Sequence, residues 1–293
     1  MYQIACWNVR GLNDPSKHVE VRNLIFDNKI SCFGLIENKL SLDNIDNVCK
    51  SIWPKWKYAH NSSGNSRSRI LIGWNPEVWD LKVFDCSNQL IHVNLVSHAN
   101  DVSCYATFVY GSNYVQVRRS LWTDILRLAS QLSNEAWVVL GDFNAIRYSH
   151  EKDGGTRKWP THMNDLNDCV RDSMLEDLKY KGLFYTWQNN NGNHLIRRKL
   201  DRVLVNDQWL HFLPNSEASF LSHCVSDHTS MLVSLGIHYA GGPKPFKFFN
   251  FWRDFPEFKQ IVLEAWKLPV RGHKMYVLQR KLQAVKGALK DLS

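Results

Sequence analysis

The sequence has no run of apolar residues that approaches the roughly 20 needed to span a bilayer. Its first residues, Met-Tyr-Gln-Ile-Ala-Cys-Trp, lack the basic-then-apolar order of a secretory signal peptide. The seven cysteines are scattered without a Cys-x-x-Cys pair, which argues against both a disulfide framework and a zinc site. These absences argue against a membrane partner and predict an intracellular, reducing compartment.

The positive charge is concentrated at one end of the chain. The formal net charge is +8, yet residues 241–293 hold eleven Lys and Arg against four Asp and Glu, so the remainder is close to neutral. Gly241-Gly242-Pro243 is typical of a linker. The sequence therefore predicts two parts, a body over residues 1–240 and a basic helical tail over 241–293.

The tail has its own hydrophobic pattern. Six apolar residues alternate at spacings of three and four, which is a heptad repeat: Met275, Leu278, Leu282, Val285, Leu289 and Leu292. Such a stripe needs an apolar partner, either an absent domain or a second copy of the chain, so self-association is an expectation. The aromatic residues of 246–252 are expected to pack rather than to stack on bases.

In the body, the segment 137–147 combines a buried strand with a sudden change of polarity. Residues 137–140 are apolar, and Asp142 and Asn144 follow Gly141 directly. Burying such groups without partners costs a few kcal/mol each. Either this is an ordinary turn, for which Gly, Asp and Asn are favoured, or it is a functional site.

The same change of polarity recurs at other predicted strand ends. Three predicted strands end at polar residues, those over 2–7, 30–36 and 103–110, and the strand over 231–235 follows polar residues. These residues are Asn8, Glu37, Tyr110, Asp227 and His228, with Asp201 as a further acid. Each one alone is better explained as a solvated strand end. As a set, carboxylates and amides with one histidine and no cysteine suit Mg²⁺.

Periodicity predicts a strand-rich α/β body. Further strands are expected over 56–59, 69–74, 79–84, 90–96, 184–187 and 200–205, and helices over 18–26, 116–132, 162–179 and 209–213. Strands alternating with helices, and many antiparallel hairpins, favour a two-layered sheet core flanked by helices.

Six polar segments occur in a fixed order: Trp-Asn-Val-Arg-Gly (7–11), Leu-Ile-Glu-Asn-Lys (35–39), Phe-Val-Tyr-Gly (108–111), Gly-Asp-Phe-Asn-Ala (141–145), Lys-Leu-Asp-Arg (199–202) and Ser-Asp-His (226–228). Together they resemble the endonuclease/exonuclease/phosphatase superfamily. The resemblance implies a four-layered α/β sandwich of two packed mixed β-sheets flanked by helices. The segments 184–187, 199–206 and 245–252 are more specifically similar to the endonuclease domain of plant LINE-type non-LTR retrotransposons.

The resemblance also implies roles for these residues. Glu37 would hold Mg²⁺, for which Mn²⁺ could substitute, with Asp227 and Asn8 as further metal contacts. Asp142 and Asn144 would orient the attacking water, and Asp142 would accept its proton. His228 would donate to a phosphate oxygen while Asp201 orients it. Asn8, Tyr110 and Asn113 would fix metal, nucleophile and phosphate by hydrogen bonds.

Basic residues near the expected cleft would contact DNA phosphates, or would simply form a solvated basic face: Arg67, Arg69, Arg118, Arg119, Arg157, Lys158, Arg197, Arg198, Lys199 and Arg202. Three departures from the family pattern are Asn38 in place of Thr, a remodelled turn over 65–69, and Lys199 in place of Arg. None removes a catalytic group.

The resemblance implies a Mg²⁺-dependent endonuclease that nicks one DNA strand and leaves a 3′-hydroxyl for reverse transcription. Its partners would be DNA and a reverse transcriptase domain or its RNA, and its location would be nuclear. Two alternatives stay open. One is a phosphatase of the same superfamily that acts on a small phosphate ester, and the other is a degenerate copy that only binds DNA.

Overall fold

The computed structural model describes residues 3–62, 67–99, 102–155, 164–189, 195–222, 225–236, 252, 255–267, 269–270 and 274–290. The chain divides into two compact units, Met1–Tyr239 and Ala240–Ser293. The Gly-Gly-Pro segment at which the sequence predicts the boundary lies outside the described residues. Among the described helices, none is both long and apolar enough to cross a membrane.

Sixteen strands are present in the described part of the first unit. In chain order they are β1 (Gln3–Asn8), β2 (Ile30–Ile36), β3 (Lys57–His60), β4 (Ile70–Trp74), β5 (Trp79–Cys86), β6 (Leu90–Ser97), β7 (Ser103–Tyr110), β8 (Trp137–Asp142), β9 (Lys152–Asp153), β10 (Glu176–Asp177), β11 (Tyr180–Gly182), β12 (Trp187–Gln188), β13 (Arg197–Arg198), β14 (Asp201–Val205), β15 (Glu217–Phe220) and β16 (Ser230–Ser234).

The helices of the two units are α1 (Pro15–Asn28), α2 (Leu42–Ile52), α3 (Val115–Gln131), α4 (Asp165–Asp172), α5 (Asp207–Phe212), α6 (Phe258–Lys267) and α7 (Lys274–Lys290). Sequence signals explain several of their ends. Asp14 caps α1 by accepting from the backbone N–H of Ser16, with Pro15 in the first turn. Asn206 caps α5 in the same way through the N–H of Trp209.

Two mixed sheets form the body. The seven-stranded sheet has the order β11-β15-β16-β1-β2-β4-β3, and the six-stranded sheet has the order β10-β14-β8-β7-β6-β5. β1 and β2 run parallel, as do β7 and β8, whereas β16, β4, β14 and β6 pair antiparallel with their neighbours. A small third sheet joins β12, β13 and β9.

The two large sheets pack face to face, and helices cover their outer faces. A Cβ on Gly34 of β2 would lie 2.3 Å from the Phe108 ring of β7, so glycine lets the sheets approach closely at this point. Residues of α1 and α2 share a core with the first sheet, and residues of α3 and α4 share one with the second. The predicted α/β sandwich of two mixed sheets flanked by helices is confirmed.

Strand register brings the predicted polar strand ends to one edge. Asp142 of β8 is paired with Tyr110 of the parallel strand β7 on one side and with Asp201 of the antiparallel strand β14 on the other. In the first sheet, Asn8 at the end of β1 is paired with Ile36, so Glu37 comes next. The carboxyl ends of the parallel pairs β1–β2 and β7–β8 therefore carry the predicted polar residues, and the start of β14 adds Asp201 beside Asp142.

Two predicted elements are wrong in extent. The helix expected over 162–179 is only α4, because the chain reverses at Met174, which has a positive φ of 54°. Residues 176–177 then join β14 as a strand, which turns Asp177 toward the guanidinium of Arg202. Of the strand expected over 184–187, Trp187 alone lies in β12.

The second unit contains α6 and α7, which pack against each other. Of the predicted heptad stripe, Met275, Leu278 and Leu282 are exposed by 68%, 42% and 53%, whereas Leu289 is buried. Leu292 and the aromatic residues of 246–251 lie outside the described residues. Self-association through this stripe stays a prediction.

Candidate active site

His228 lies at the centre of a buried polar cluster, between two carboxylates. Its Nδ1 lies 2.9 Å from Asp201 Oδ2, and its Nε2 lies 3.8 Å from Asp142 Oδ2. All three side chains are at most 3% exposed. Asn8 completes the cluster by donating from Nδ2 to Asp142 Oδ2 at 2.8 Å. The predicted residues from four separate segments thus share one hydrogen-bonded network.

The environment changes the proton affinities of both central groups. Burial is the largest influence on Asp142 and raises the pKa of its carboxyl, which Asp201 raises further while His228 opposes the change. Burial lowers the pKa of His228, but the charges of Asp201 and Asp142 outweigh burial, so the pKa of the imidazole is raised above its ordinary value. The cluster therefore favours a protonated His228 and makes Asp142 a better proton acceptor near neutral pH.

Thr186, which the sequence analysis did not single out as a site residue, holds Asp201 in place. Its Oγ1 accepts from the backbone N–H groups of Leu200 and Asp201 at 3.0 and 2.9 Å, and the side chain is fully buried. Its position in the motif Phe-Tyr-Thr-Trp, two residues beyond Phe184, was the available signal.

Several strand ends at the site have strained backbones. Arg10, Glu37, Lys39 and Asn144 have φ values of 50°, 52°, 58° and 48°, a region that residues with a Cβ rarely adopt. Such conformations cost of order 1–3 kcal/mol each and persist where surrounding contacts fix them. All four residues lie within three positions of the ends of β1, β2 and β8.

Glu37 and Asp227 lie beside this cluster, and both contact the guanidinium of Arg10. Arg10 Nη1 donates to Asp227 Oδ2 at 2.9 Å, and Arg10 Nε lies 3.7 Å from Glu37 Oε2. Lys39 Nζ contacts the other oxygen of Glu37 at 2.9 Å. Trp187 Nε1 also donates to Asp227 Oδ2. Arg10 and Trp187 lie within two of the sequence motifs, but no role was predicted for either residue.

The residues present fit a divalent cation. Asp227 Oδ1 and Asp201 Oδ1 are buried oxygens that have no hydrogen-bond partner among the described residues. Ligand atoms of Asp142, Asp201 and His228 lie within 4.8 Å of one another. That trio is buried and internally paired, whereas the Glu37 and Asp227 side chains are 11% and 17% exposed. Since Mg²⁺ usually keeps several waters, Glu37 and Asp227 suit it better.

The loop after β7 is tied to Asp142. Gly111 N donates to the Asp142 carbonyl at 2.7 Å, and Asn144 Nδ2 donates to the Gly111 carbonyl, also at 2.7 Å. The carboxylate of Asp142 accepts from the Asn144 N–H at 2.8 Å. Asn144 thus orients both Asp142 and the loop that carries Asn113, whose side chain is exposed.

The position of Arg202 contradicts the prediction that it contacts a DNA phosphate. Its side chain is completely buried, and its guanidinium is paired with Glu151 and, at 3.0 Å, with Asp177. Glu151 also accepts from the backbone N–H of Arg147 at 2.6 Å. A buried arginine that joins two carboxylates fixes the segment after Asn144 and does not reach solvent.

The other predicted phosphate contacts differ in how free they are. Arg118 is 6% exposed and its Nη1 donates to the Ser112 carbonyl at 2.7 Å, so its role is to hold the loop. Arg119 and Arg197 are paired with Asp165 and Asp153. Arg198 is half-buried over the Trp187 ring. Two others are exposed, Arg67 and Arg69, while Arg157 and Lys158 lie outside the described residues.

Solved structures with the same fold include nucleases and a phosphatase. The endonuclease domain of TRAS1, a telomere-specific non-LTR retrotransposon, matches with a TM-score of 0.63 and 12% identity over 82% of this chain and 100% of that one. The AP endonuclease LMAP from Leishmania major matches with a TM-score of 0.64 and 13% identity over 79% of this chain and 86% of that one. The Bacteroides thetaiotaomicron mannosyl-6-phosphatase Bt3783 matches with a TM-score of 0.55 and 13% identity over 80% of this chain and 99% of that one. No curated protein sequence matches.

The sequence itself matches a family model over most of the first unit. The model of the Endonuclease/Exonuclease/phosphatase family covers residues 5–228, a range that contains every strand-end residue from Asn8 to His228. The chain therefore belongs to the endonuclease/exonuclease/phosphatase family.

Proposed function

We propose that this chain is a Mg²⁺-dependent DNA endonuclease that nicks one strand and leaves a 3′-hydroxyl from which reverse transcription can begin. The observation that carries the proposal is the buried His228 held between Asp201 and Asp142, with Asn8 completing the network. Proton-accepting and proton-donating groups fixed side by side are what phosphodiester hydrolysis requires.

The chain's residues divide the work of hydrolysis. Asp142 orients a water for in-line attack on phosphorus and accepts its proton, which its raised pKa favours. The P–O3′ bond breaks as the new P–O bond forms, and the leaving oxygen takes a proton from solvent to become the 3′-hydroxyl. Protonated His228 donates from Nε2 to a non-bridging phosphate oxygen, because its Nδ1 is committed to Asp201. Asn8 and Asn144 hold Asp142 in position through hydrogen bonds.

Glu37 and Asp227 would hold the divalent cation. When bound, Mg²⁺ supplies charge neutralisation to the phosphoryl and leaving oxygens. Arg10, which contacts both carboxylates here, would then be released and free to contact a phosphate of the same strand. Mn²⁺, which has a similar preference for oxygen ligands, would be able to replace Mg²⁺.

DNA is favoured as the substrate by the exposed cations near the cluster. Arg67 and Arg69 are exposed, and among the described residues no carboxylate pairs with either. The likeness to the TRAS1 endonuclease domain supports the same substrate class, and with it a reverse transcriptase domain, or its RNA, as a partner in a longer protein. A DNA substrate would place the protein in the nucleus.

The test compares two substrate classes with the full chain. Supercoiled plasmid and a panel of soluble phosphate esters, including a sugar 6-phosphate and an inositol phosphate, are incubated with and without Mg²⁺. Conversion of plasmid to the relaxed circle, dependent on Mg²⁺ and yielding ends that a polymerase extends, supports the proposal. Turnover of an ester without nicking would identify a phosphatase, and DNA binding without either reaction would identify a degenerate copy.

A further inference from the structure

A cavity lies next to the His228 cluster and has Tyr110 in its lining. The cavity has a volume of about 470 Å³, within the range of small-molecule pockets in proteins. Tyr110 lines it from the end of β7, where it pairs in register with Asp142. Anything bound in the cavity therefore lies beside the reacting phosphate.

Two buried amide side chains fix the cavity walls. Asn61 donates to the carbonyls of Ser87 and Asn88 at 3.0 and 3.2 Å, and its oxygen accepts from the backbone N–H groups of Arg69 and Ile70. This side chain is 8% exposed. It holds the chain that carries the two arginines against the turn between β5 and β6.

Gln89 performs the same task for the opposite wall. It donates to the Val117 carbonyl at 2.9 Å and accepts from the Ser112 N–H at 2.6 Å. Its side chain is 6% exposed. Because both amides are fully used in holding protein segments, the cavity exists before any ligand arrives.

The cavity is positively charged. Arg67 and Arg69 line it and are exposed, and none of the lining residues that the structure describes is acidic. The guanidinium carbon of Arg69 lies 5.9 Å from the centre of the Tyr110 ring, which places this cation on the side of the catalytic cluster. Two guanidinium groups at an open cavity favour a phosphate.

An aromatic ring at the rim adds a second recognition element. Tyr114 lines the cavity and is 75% exposed, and Val117, one turn into α3, is 53% exposed. An exposed tyrosine next to an apolar residue offers a face on which a base can stack. Tyr114 lies three residues after Gly111, and the N–H of Gly111 donates to the Asp142 carbonyl.

We infer that this cavity binds one nucleotide of the cleaved strand, next to the two nucleotides that the scissile bond joins. Its phosphate contacts Arg67 and Arg69, and its base stacks on Tyr114. A free sugar phosphate would use the two arginines but not the exposed ring. The inference rests on the proposed nicking activity and adds that one flanking nucleotide contributes to cleavage.

The test combines protein variants with trimmed substrates. A duplex with one mapped nicking site is shortened on the cleaved strand one nucleotide at a time from each side. We expect Tyr114→Ala to lower kcat/KM about tenfold, mainly through KM, on the full duplex. On the substrate that lacks the contacted nucleotide, wild type and Tyr114→Ala should be equal, because the stacking partner is gone.

A second arm measures the phosphate contacts. The double variant Arg67→Gln/Arg69→Gln should reduce the slope of log affinity against log salt by about one, because both arginines contact a single phosphate. Phe26→Ala removes an equally exposed aromatic ring from α1, and Arg22→Gln removes an exposed arginine there, so these variants are the controls. Melting temperatures of all variants exclude unfolding as the cause.

Four outcomes separate the possibilities. If wild type nicks DNA but the cavity variants behave like the controls, this inference is wrong and the proposed function stands. An effect of Tyr114→Ala that persists on every trimmed substrate also overturns it. If the arginine variants raise KM for a soluble sugar phosphate and leave nicking unchanged, the cavity binds a small ester instead. Failure of wild type to nick at all would contradict the proposed function itself.

Discussion

Asp201 Oδ2 accepts a hydrogen bond from His228 Nδ1 at 2.9 Å, and both side chains are almost completely buried. Asp201 is thus the carboxylate that fixes the orientation of the imidazole and leaves Nε2 facing Asp142. Together with Asp142, it outweighs the effect of burial on the pKa of His228.

We expect Asp201→Asn to lower the pKa of His228 toward or below the ordinary value of about 6.5. The physical reason is that a neutral amide removes the largest charge that favours imidazolium, while burial continues to oppose it. The measurement is a pH titration of the His228 Cε1–H resonance by NMR. Asp153→Asn, which affects an exposed carboxylate paired with Arg197, is the control. An unchanged His228 titration would contradict the assignment.

Arg10 is predicted to compete with the metal for the carboxylates of Glu37 and Asp227. Arg10→Met should tighten Mg²⁺ binding about three- to tenfold, because a half-exposed cation that contacts Glu37 and Asp227 is removed. Glu37→Gln should have the opposite effect and weaken binding. Isothermal titration calorimetry without DNA measures both, with Arg22→Met as the control. Equal affinities for Arg10→Met and wild type would show that the metal binds elsewhere.

The buried position of Arg202 predicts a loss of stability rather than of DNA affinity. Arg202→Met leaves Glu151 without its buried partner, and such changes typically cost about 3–5 kcal/mol. Denaturant unfolding of Arg202→Met measures the destabilisation, and Arg171→Met, which removes an exposed arginine, should leave the free energy of unfolding close to that of wild type. If Arg202→Met keeps wild-type stability but no longer shows salt-dependent DNA binding, the buried pairing is not its main role.

The basic second unit is predicted to retain DNA and to be dispensable for chemistry. Residues 241–293 carry most of the net charge and lie beyond every catalytic motif. A chain ending at Tyr239 should cleave bound DNA at nearly the wild-type single-turnover rate. Its affinity should weaken, and its log-salt slope should shrink by about one for each phosphate that the tail neutralises in the full chain. A sharp fall in melting temperature with an unchanged salt slope would instead mean that the tail stabilises the body.

Much of the candidate site could be predicted because the strand ends that form it have a local signature. At Asn8, Glu37, Asp142 and His228, an apolar strand changes abruptly to a polar residue, and ordered motifs add the family. Arg202 could not be placed in the same way, since a basic residue beside a cleft and a buried basic residue look alike in sequence. Its burial depends on Asp177, which a turn at Met174 brings to β14. Arg10 was missed because its contacts to Glu37 and Asp227 join three distant segments.

The most direct test of the proposed chemistry is plasmid nicking by wild type and Asp142→Asn across a Mg²⁺ titration. The prediction is a Mg²⁺-dependent wild-type rate and a variant that folds normally but is slower by about 10²–10⁴, as expected when an acid–base group is removed. Thermal melting of both proteins checks the fold. An Asp142→Asn rate above about a tenth of the wild-type rate, or wild-type nicking unaffected by chelating the metal, would contradict the central claim.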